Sequence, residues 1–183
     1  MIFVYLGVGI LGNVYAAQMQ QEISDEVLRF HVLANSDRAA DQEEKLAVRN
    51  GVIAYLSKKE EQIHTKEEMM SYVQRCIPEI EKIATEIAFP HKVKATLGKV
   101  RFPEKSYGEF VFPEGVYDAL QLKIGEAKGK NWWCVLYPAL CFRYAMEPVV
   151  DETGDEKLQE VLSGDAYDFL KHPERIKISF HWF

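Results

Sequence analysis

Recognisable catalytic signatures are scarce in this 183-residue chain. None of its five histidines belongs to an HExxH pair or stands at zinc-ligand spacing with a cysteine pair, so no metal site is expected. No GxSxG elbow exists, which argues against a serine hydrolase of the α/β type. The stretch Gly125-Glu126-Ala127-Lys128-Gly129-Lys130-Asn131 is one residue too short between glycines for a phosphate loop. Asn131 also stands where a Ser or Thr would hold magnesium, so the segment reads as a Gly/Lys loop joining two strands, and no cofactor is expected. Lys and Arg total 22 against 28 Asp and Glu, a net charge of −6, with no basic tail or basic helix face. Nucleic acid needs a positive stripe to neutralise its phosphates, so it is not an expected partner. Repeats, low-complexity tracts and interdomain linkers are absent. With 48% hydrophobic and 27% charged residues, the chain has the proportions of one globular domain around one core.

Charge is missing altogether from Met1 to Ala17 (MIFVYLGVGILGNVYAA), after which the chain turns polar from Gln18 to Glu26. An uncharged run of this length fits the apolar region of a signal peptide and falls short of a comfortable membrane span. Val14-Tyr15-Ala16 supplies short residues at the positions a signal peptidase reads. No Lys or Arg precedes the run, so residues 1–17 are expected to be a signal peptide or a truncated signal anchor, the competing reading being a buried N-terminal strand. The folded domain is expected over 25–183. Export makes paired thiols the rule, and three cysteines, Cys76, Cys134 and Cys141, leave one over.

Periodicity organises the remainder of the chain. Leu28 to Ala34 alternates, with Leu28, Phe30 and Val32 on one face and Arg29 and His31 on the other, as in a half-buried strand. Asn35-Ser36-Asp37 offers turn and N-cap chemistry, and a helix then runs to about Leu56 with Leu46, Val52, Ile53 and Leu56 as its apolar stripe. Arg49 falls inside that stripe. It either snorkels at the stripe's edge or forms an ion pair that holds the helix to the Asn35–Asp37 loop. Thr65-Lys66-Glu67-Glu68 fits a capping box opening a second helix, in which Pro78 predicts a kink or a restart. Cys76 lies on that helix's apolar stripe and reads as the leftover core thiol.

Val93, Ala95 and Leu97 alternate with polar residues, and beyond Gly98 the phase flips to Val100 and Phe102, which predicts a bulge or bend. Lys92, Lys94, Lys99, Arg101 and Lys105 make this the one locally basic stretch, either a solvated strand face or a contact for an acidic partner or a membrane surface. Tyr107 to Phe112 and Val116 to Gly125 are further strands. The clean alternation of Leu120, Leu122 and Ile124 points to a mixed or antiparallel sheet. Asp155 to Leu162 and Ala166 to Leu170 read as short helices, and Ile176 to Trp182 as a last strand. The expected fold is α+β, a single domain with two to three helices packed on the sheet.

Asn131-Trp132-Trp133-Cys134-Val135-Leu136-Tyr137-Pro138-Ala139-Leu140-Cys141-Phe142 is the most unusual segment. On a strand the two tryptophans point to opposite faces, so at most one joins the main core; the other needs a cover from a helix or a partner. The cysteines are symmetric about Tyr137–Pro138. A tight turn there would bring Cys134 and Cys141 near enough to bridge, a closure worth about 2.5 kcal/mol in the chain-entropy picture. The alternative chemistry is a nucleophilic Cys134 or Cys141 with His31 or His181 as base, as in an exported cell-envelope hydrolase.

Two segments carry a resemblance. Phe30-His31-Val32-Leu33-Ala34-Asn35-Ser36-Asp37, followed by Asp41-Gln42, Lys45-Leu46 and Val48-Arg49, resembles the N-terminal signature of the stage II sporulation protein R family. Asn131-Trp132-Trp133-Cys134-Val135-Leu136 with Cys141-Phe142 resembles its second signature, and Tyr107-Gly108 and Phe112-Pro113 sit between them as in that family. Pro138-Ala139 stands where the family usually has a double proline. The resemblance implies a protein that is not an enzyme. It would be secreted into the forespore–mother cell intermembrane space, where it triggers a membrane-embedded aspartic-type receptor protease, stage II sporulation protein GA, that processes pro-sigma factor E. The expected contact residues are Trp132, Trp133, Asn131, His31, Asn35, Asp37 and Arg49, with Cys134–Cys141 as a staple.

Overall fold

The computed structural model describes residues 2–141 and 152–173, and the side chains within them over 14–141 and 154–173. Helix α1 (Ile2–Glu26) leads into β1 (Leu28–Leu33), and α2 (Ala39–Leu56) and α3 (Lys66–Ile87) come next. Then come β2 (Val93–Phe102), the short strands β3 (Lys105–Tyr107) and β4 (Phe110–Phe112), β5 (Gly115–Ile124) and β6 (Asn131–Tyr137). Helices α4 (Glu152–Val161) and α5 (Gly164–Lys171) complete the described chain. Four strands form one sheet in the order β2-β5-β1-β6. β1 runs parallel to β5 and antiparallel to β6, while β2 is antiparallel to β5, so the sheet is mixed and the fold is α+β.

This sheet has a core on each face. Leu28, Phe30 and Val32 of β1 and Leu120, Leu122 and Ile124 of β5 pack under α2 and α3 with Val48, Val52, Leu56, Val73 and Ile80. On the other face Ala119, Tyr117, Val135 and Phe102 meet Met19 and Ile23 of α1, the β3–β4 hairpin, and Leu158, Ala166 and Leu170 of the last helices. β1 is therefore not half-buried: Arg29 and His31, assigned by alternation to a wet face, are as enclosed as their neighbours.

The same two-sided arrangement corrects the reading of Gly98. Pairing of β2 with β5 runs unbroken from Val93↔Ile124 to Phe102↔Gly115, without a bulge. The hydrophobic phase changes because Val93 and Ala95 face the α2/α3 layer whereas Val100 and Phe102 face the other one. β2 is an edge strand, and its outward Lys99 and Arg101 pair with Asp118 at 3.0 Å and Glu114 at 3.4 Å, a charged edge that discourages further strand pairing.

Other local expectations are redrawn too. Tyr107 to Phe112 is a hairpin rather than one strand, because Gly108 takes a positive φ of 61° at its turn. Thr65 caps α3 by accepting from the Glu68 amide at 3.1 Å, and α3 continues through Pro78 without restarting. Pro78 and Gln74, whose carbonyl it leaves free, are both exposed, so water can serve that oxygen. In α2, Leu46 is 38% exposed and Val48 takes its place in the stripe. The residue before α2 is Arg38, with no side-chain cap; Asn35 and Ser36 bind Asp41 instead.

The C-terminal part of α1 is built into the domain. Met19 and Ile23 are buried, Glu22 accepts the Ser163 amide at 3.0 Å, and Lys66 donates to the Ser24 and Asp25 carbonyls at 2.9 and 3.0 Å. A cation on those last carbonyls complements the negative end of the helix. No helix among the described residues is long and apolar enough to cross a membrane. The strand expected at Ile176 to Trp182 lies outside the described residues.

Candidate functional site

The carboxyl ends of the parallel strands β1 and β5 open into two loops that are sewn together. Lys128 and Gly129 donate backbone N–H to the Asn35 and Ala34 carbonyls at 3.1 and 2.9 Å. The Asn35 Oδ1 accepts the Glu126 amide at 3.0 Å, and Asp37 Oδ1 accepts the Lys130 amide at 2.7 Å. Two glycines permit this approach. Gly125 has a φ of +54°, and a Cβ on Gly129 would sit 2.2 Å from the Ser36 carbonyl oxygen. Beneath them the Asp41 carboxylate accepts from Asn35 Nδ2 at 2.9 Å and Ser36 Oγ at 2.5 Å, bonds that hold its pKa below the usual carboxylate range. Asn35 and Asp37 therefore act as loop staples, their side-chain oxygens turned to backbone amides of the facing loop.

The strand that leaves this junction carries the tryptophan pair. Trp132 lies on the α2 side, edge-on to Phe30 at 5.6 Å, with the Arg49 guanidinium over its ring at 4.9 Å. Arg49 forms no ion pair with the Asn35–Asp37 loop; its Nε donates to Asn50 Oδ1 at 2.9 Å. Trp133 lies on the opposite side, stacked on His31 at 3.6 Å and edge-on to Phe102 at 4.6 Å. Both tryptophans are half-buried and Asn131 is exposed.

His31 is held between two amides. Its Nε2 donates to Asn131 Oδ1 at 3.0 Å and its Nδ1 accepts from Gln121 Nε2 at 2.9 Å, the pattern of a neutral imidazole. Burial is the main cause that pushes its pKa down to about 4.

At the far end of β6, Cys134 and Cys141 form a disulfide with Cα atoms 6.0 Å apart. A tight turn closes it, with the Cys141 amide donating to the Val135 carbonyl at 3.1 Å. Both sulfurs are thus bonded to each other and both His31 nitrogens are engaged, so a Cys/His nucleophilic pair is not assembled there; His181 lies outside the described residues. Cys76 is the free, buried thiol. A cavity of about 450 Å³ beside this turn is lined by His64, Tyr137, Pro138 and Glu60, and by none of the expected contact residues. No group of metal-ligating side chains occurs among the described residues.

Three buried cations escaped sequence reasoning. Arg29, fully buried, sits among Phe102, Phe112, Tyr117 and Tyr107 and donates to the Cys134 carbonyl at 3.2 Å and the Tyr107 hydroxyl at 3.1 Å. Lys66 pairs with Asp118 at 2.8 Å. Lys45, one turn before Arg49, donates to the Lys130 carbonyl at 3.1 Å. The cluster of aromatic residues from Phe102 to Tyr117 was the available hint for Arg29, since aromatic faces accept a guanidinium.

The family model of stage II sporulation protein R matches residues 24–147, a span that holds both loops, both tryptophans and the disulfide. Stage II sporulation protein R of Bacillus subtilis (strain 168) is 36% identical over 124 residues, which are 66% of this chain and 55% of that protein. The chain thus spans about half the length of the curated relative it matches. No solved structure matches it. With two distant signatures meeting at one junction and more than half of its length matched, the chain belongs to the stage II sporulation protein R family.

Proposed function

We propose that this chain is an intercellular signal of endospore formation. It is secreted from the forespore into the space between the two membranes and there switches on stage II sporulation protein GA. That membrane-embedded aspartic-type protease then removes the pro-sequence of sigma factor E. The observation that carries the reading is the junction itself: residues 31–49 and 125–133 are brought to one end of the sheet and locked by main-chain bonds, leaving two half-exposed tryptophans on a rigid strand. A ligand switches a receptor only through unequal affinity for its two states, and a pre-organised strand edge with one tryptophan on each face loses little freedom on binding. Export is supported by the uncharged run from Met1 to Ala17. A leader ending there leaves Met19 and Ile23, the packed part of α1, with the domain.

The test mixes the purified domain with membranes bearing the receptor protease and pro-sigma factor E, and monitors loss of the pro-sequence. The wild-type chain stimulates cleavage, and Trp132→Ala and Trp133→Ala each reduce it at least tenfold. Absence of stimulation by the wild-type chain refutes the signalling function; if both variants lose activity only in step with a large fall in melting temperature, the tryptophans are core residues and the signalling surface lies elsewhere.

A further inference from the structure

Lys45 and Arg49 stand one turn apart on α2, and both are more than nine-tenths buried, at 6% and 7% exposure. Their polar partners are all neutral. Lys45 Nζ donates to Gln42 Oε1 at 2.7 Å and to the Lys130 carbonyl at 3.1 Å; Arg49 Nε donates to Asn50 Oδ1 at 2.9 Å. Neither forms an ion pair with a carboxylate among the described residues. Elsewhere the protein obeys the usual rule that a buried charge is paired, since Lys66, 5% exposed, has Asp118 at 2.8 Å. Arg29 is also without a carboxylate, but it is sealed at 0% exposure inside four aromatic rings. Arg49 has one ring, Trp132, and exposed Asn50 beside it. Burial and then the Arg49 charge lower the Lys45 pKa; the Asp37 carboxylate opposes them from beyond ion-pair distance, so the two cations still disfavour each other as they stand.

We propose that Lys45, Arg49 and Trp132 form a receiving site for one carboxylate side chain of a protein partner. The inference rests on the reading that this junction meets such a partner, and it supplies the chemistry of the contact. With its carbon held over the indole at 4.9 Å, the guanidinium has an N–H edge that takes a carboxylate through two parallel bonds, and the Lys45 ammonium adds a point charge. A single negative charge suits the site. Asp37, whose carboxylate already acts on Lys45 from the adjoining loop, would oppose the larger charge of a dianionic phosphate more than that of a carboxylate.

Two measurements on the full chain test this. In the receptor assay, Lys45→Met and Arg49→Lys each lower activation at least tenfold while the melting temperature stays level or rises, because neutralising one cation removes a repulsion and lysine keeps charge without the fork. A fall in melting temperature that accounts for the lost activation, or unchanged activation, overturns the proposal. Without any receptor, sodium acetate at constant ionic strength should shift the Arg49 Nε–H NMR resonance saturably in wild type and not in Lys45→Met. No saturable shift, or saturation by inorganic phosphate or phosphatidylglycerol vesicles in place of acetate, overturns the carboxylate assignment. A wild-type chain that responds to acetate but fails to activate the protease leaves the site intact and refutes the signalling function instead.

Discussion

Replacing His31 by glutamine should remove most of the acid sensitivity of this fold between about pH 7 and about pH 5. The imidazole is 4% exposed, stacked on Trp133, and bonded as a neutral ring to Asn131 and Gln121. Protonation would put a second N–H on Nδ1, where Gln121 already directs a donor. The folded pKa is about 4, against about 6.5 for an unfolded histidine. Because the folded value is depressed, the unfolded chain takes up the proton first. The stabilisation is fully present above about pH 6.5 and is lost as pH falls from there towards about 4. Carried to about pH 5, these two values give a loss of about 2 kcal/mol, a large fraction of an ordinary domain's stability. Urea unfolding at both pH values, in wild type and His31→Gln, measures it: the wild-type free energy drops by about 2 kcal/mol more than the variant's. Asp41, Asp118 and Asp155 have pKa values below the usual carboxylate range and so lose their bonds only at lower pH, outside this window. Equal slopes for the two proteins would refute the buried neutral imidazole.

Three other sets of substitutions probe the geometry. Removing the staple with Cys134→Ser and Cys141→Ser together should cost about 2.5 kcal/mol, read as a lower urea midpoint that reducing agent no longer changes. Arg29→Ala should cost about 3–5 kcal/mol through lost packing and an emptied aromatic cage, whereas Arg29→Met, which refills the volume without a buried charge, should cost less than half of that in thermal unfolding. Gly129→Ala should destabilise by about 1–3 kcal/mol because the Ser36 backbone cannot move aside, while Gly98→Ala, with nothing within 4 Å of the added carbon, should be nearly neutral; a difference in melting temperature between the two checks this.

The local elements and the pairing of two cysteines were legible along the chain. Helical spacing placed α2 and α3, Thr65 marked a helix start that the structure keeps, and alternation put Trp132 and Trp133 on opposite faces of a strand. Symmetry about Tyr137–Pro138 anticipated the Cys134–Cys141 bridge. These are properties of neighbours in the chain, so periodicity and spacing carry them. What covers each face was settled by folding in three dimensions. Arg29 and His31 looked wet because alternation reports which side a residue takes, not whether another layer lies there. That layer comes from the β3–β4 hairpin and the last helices, far from β1 in the chain, and from α1, which precedes β1 but folds back over that face. The phase change at Gly98 had the same origin, as did the fate of Arg49. Its ring partner, Trp132, lies on a strand more than eighty residues away, and the acid it lacks is set by which side chains the fold brings near. Charges in a protein are paired or left unpaired by three-dimensional proximity, and no one-dimensional pattern records that distance.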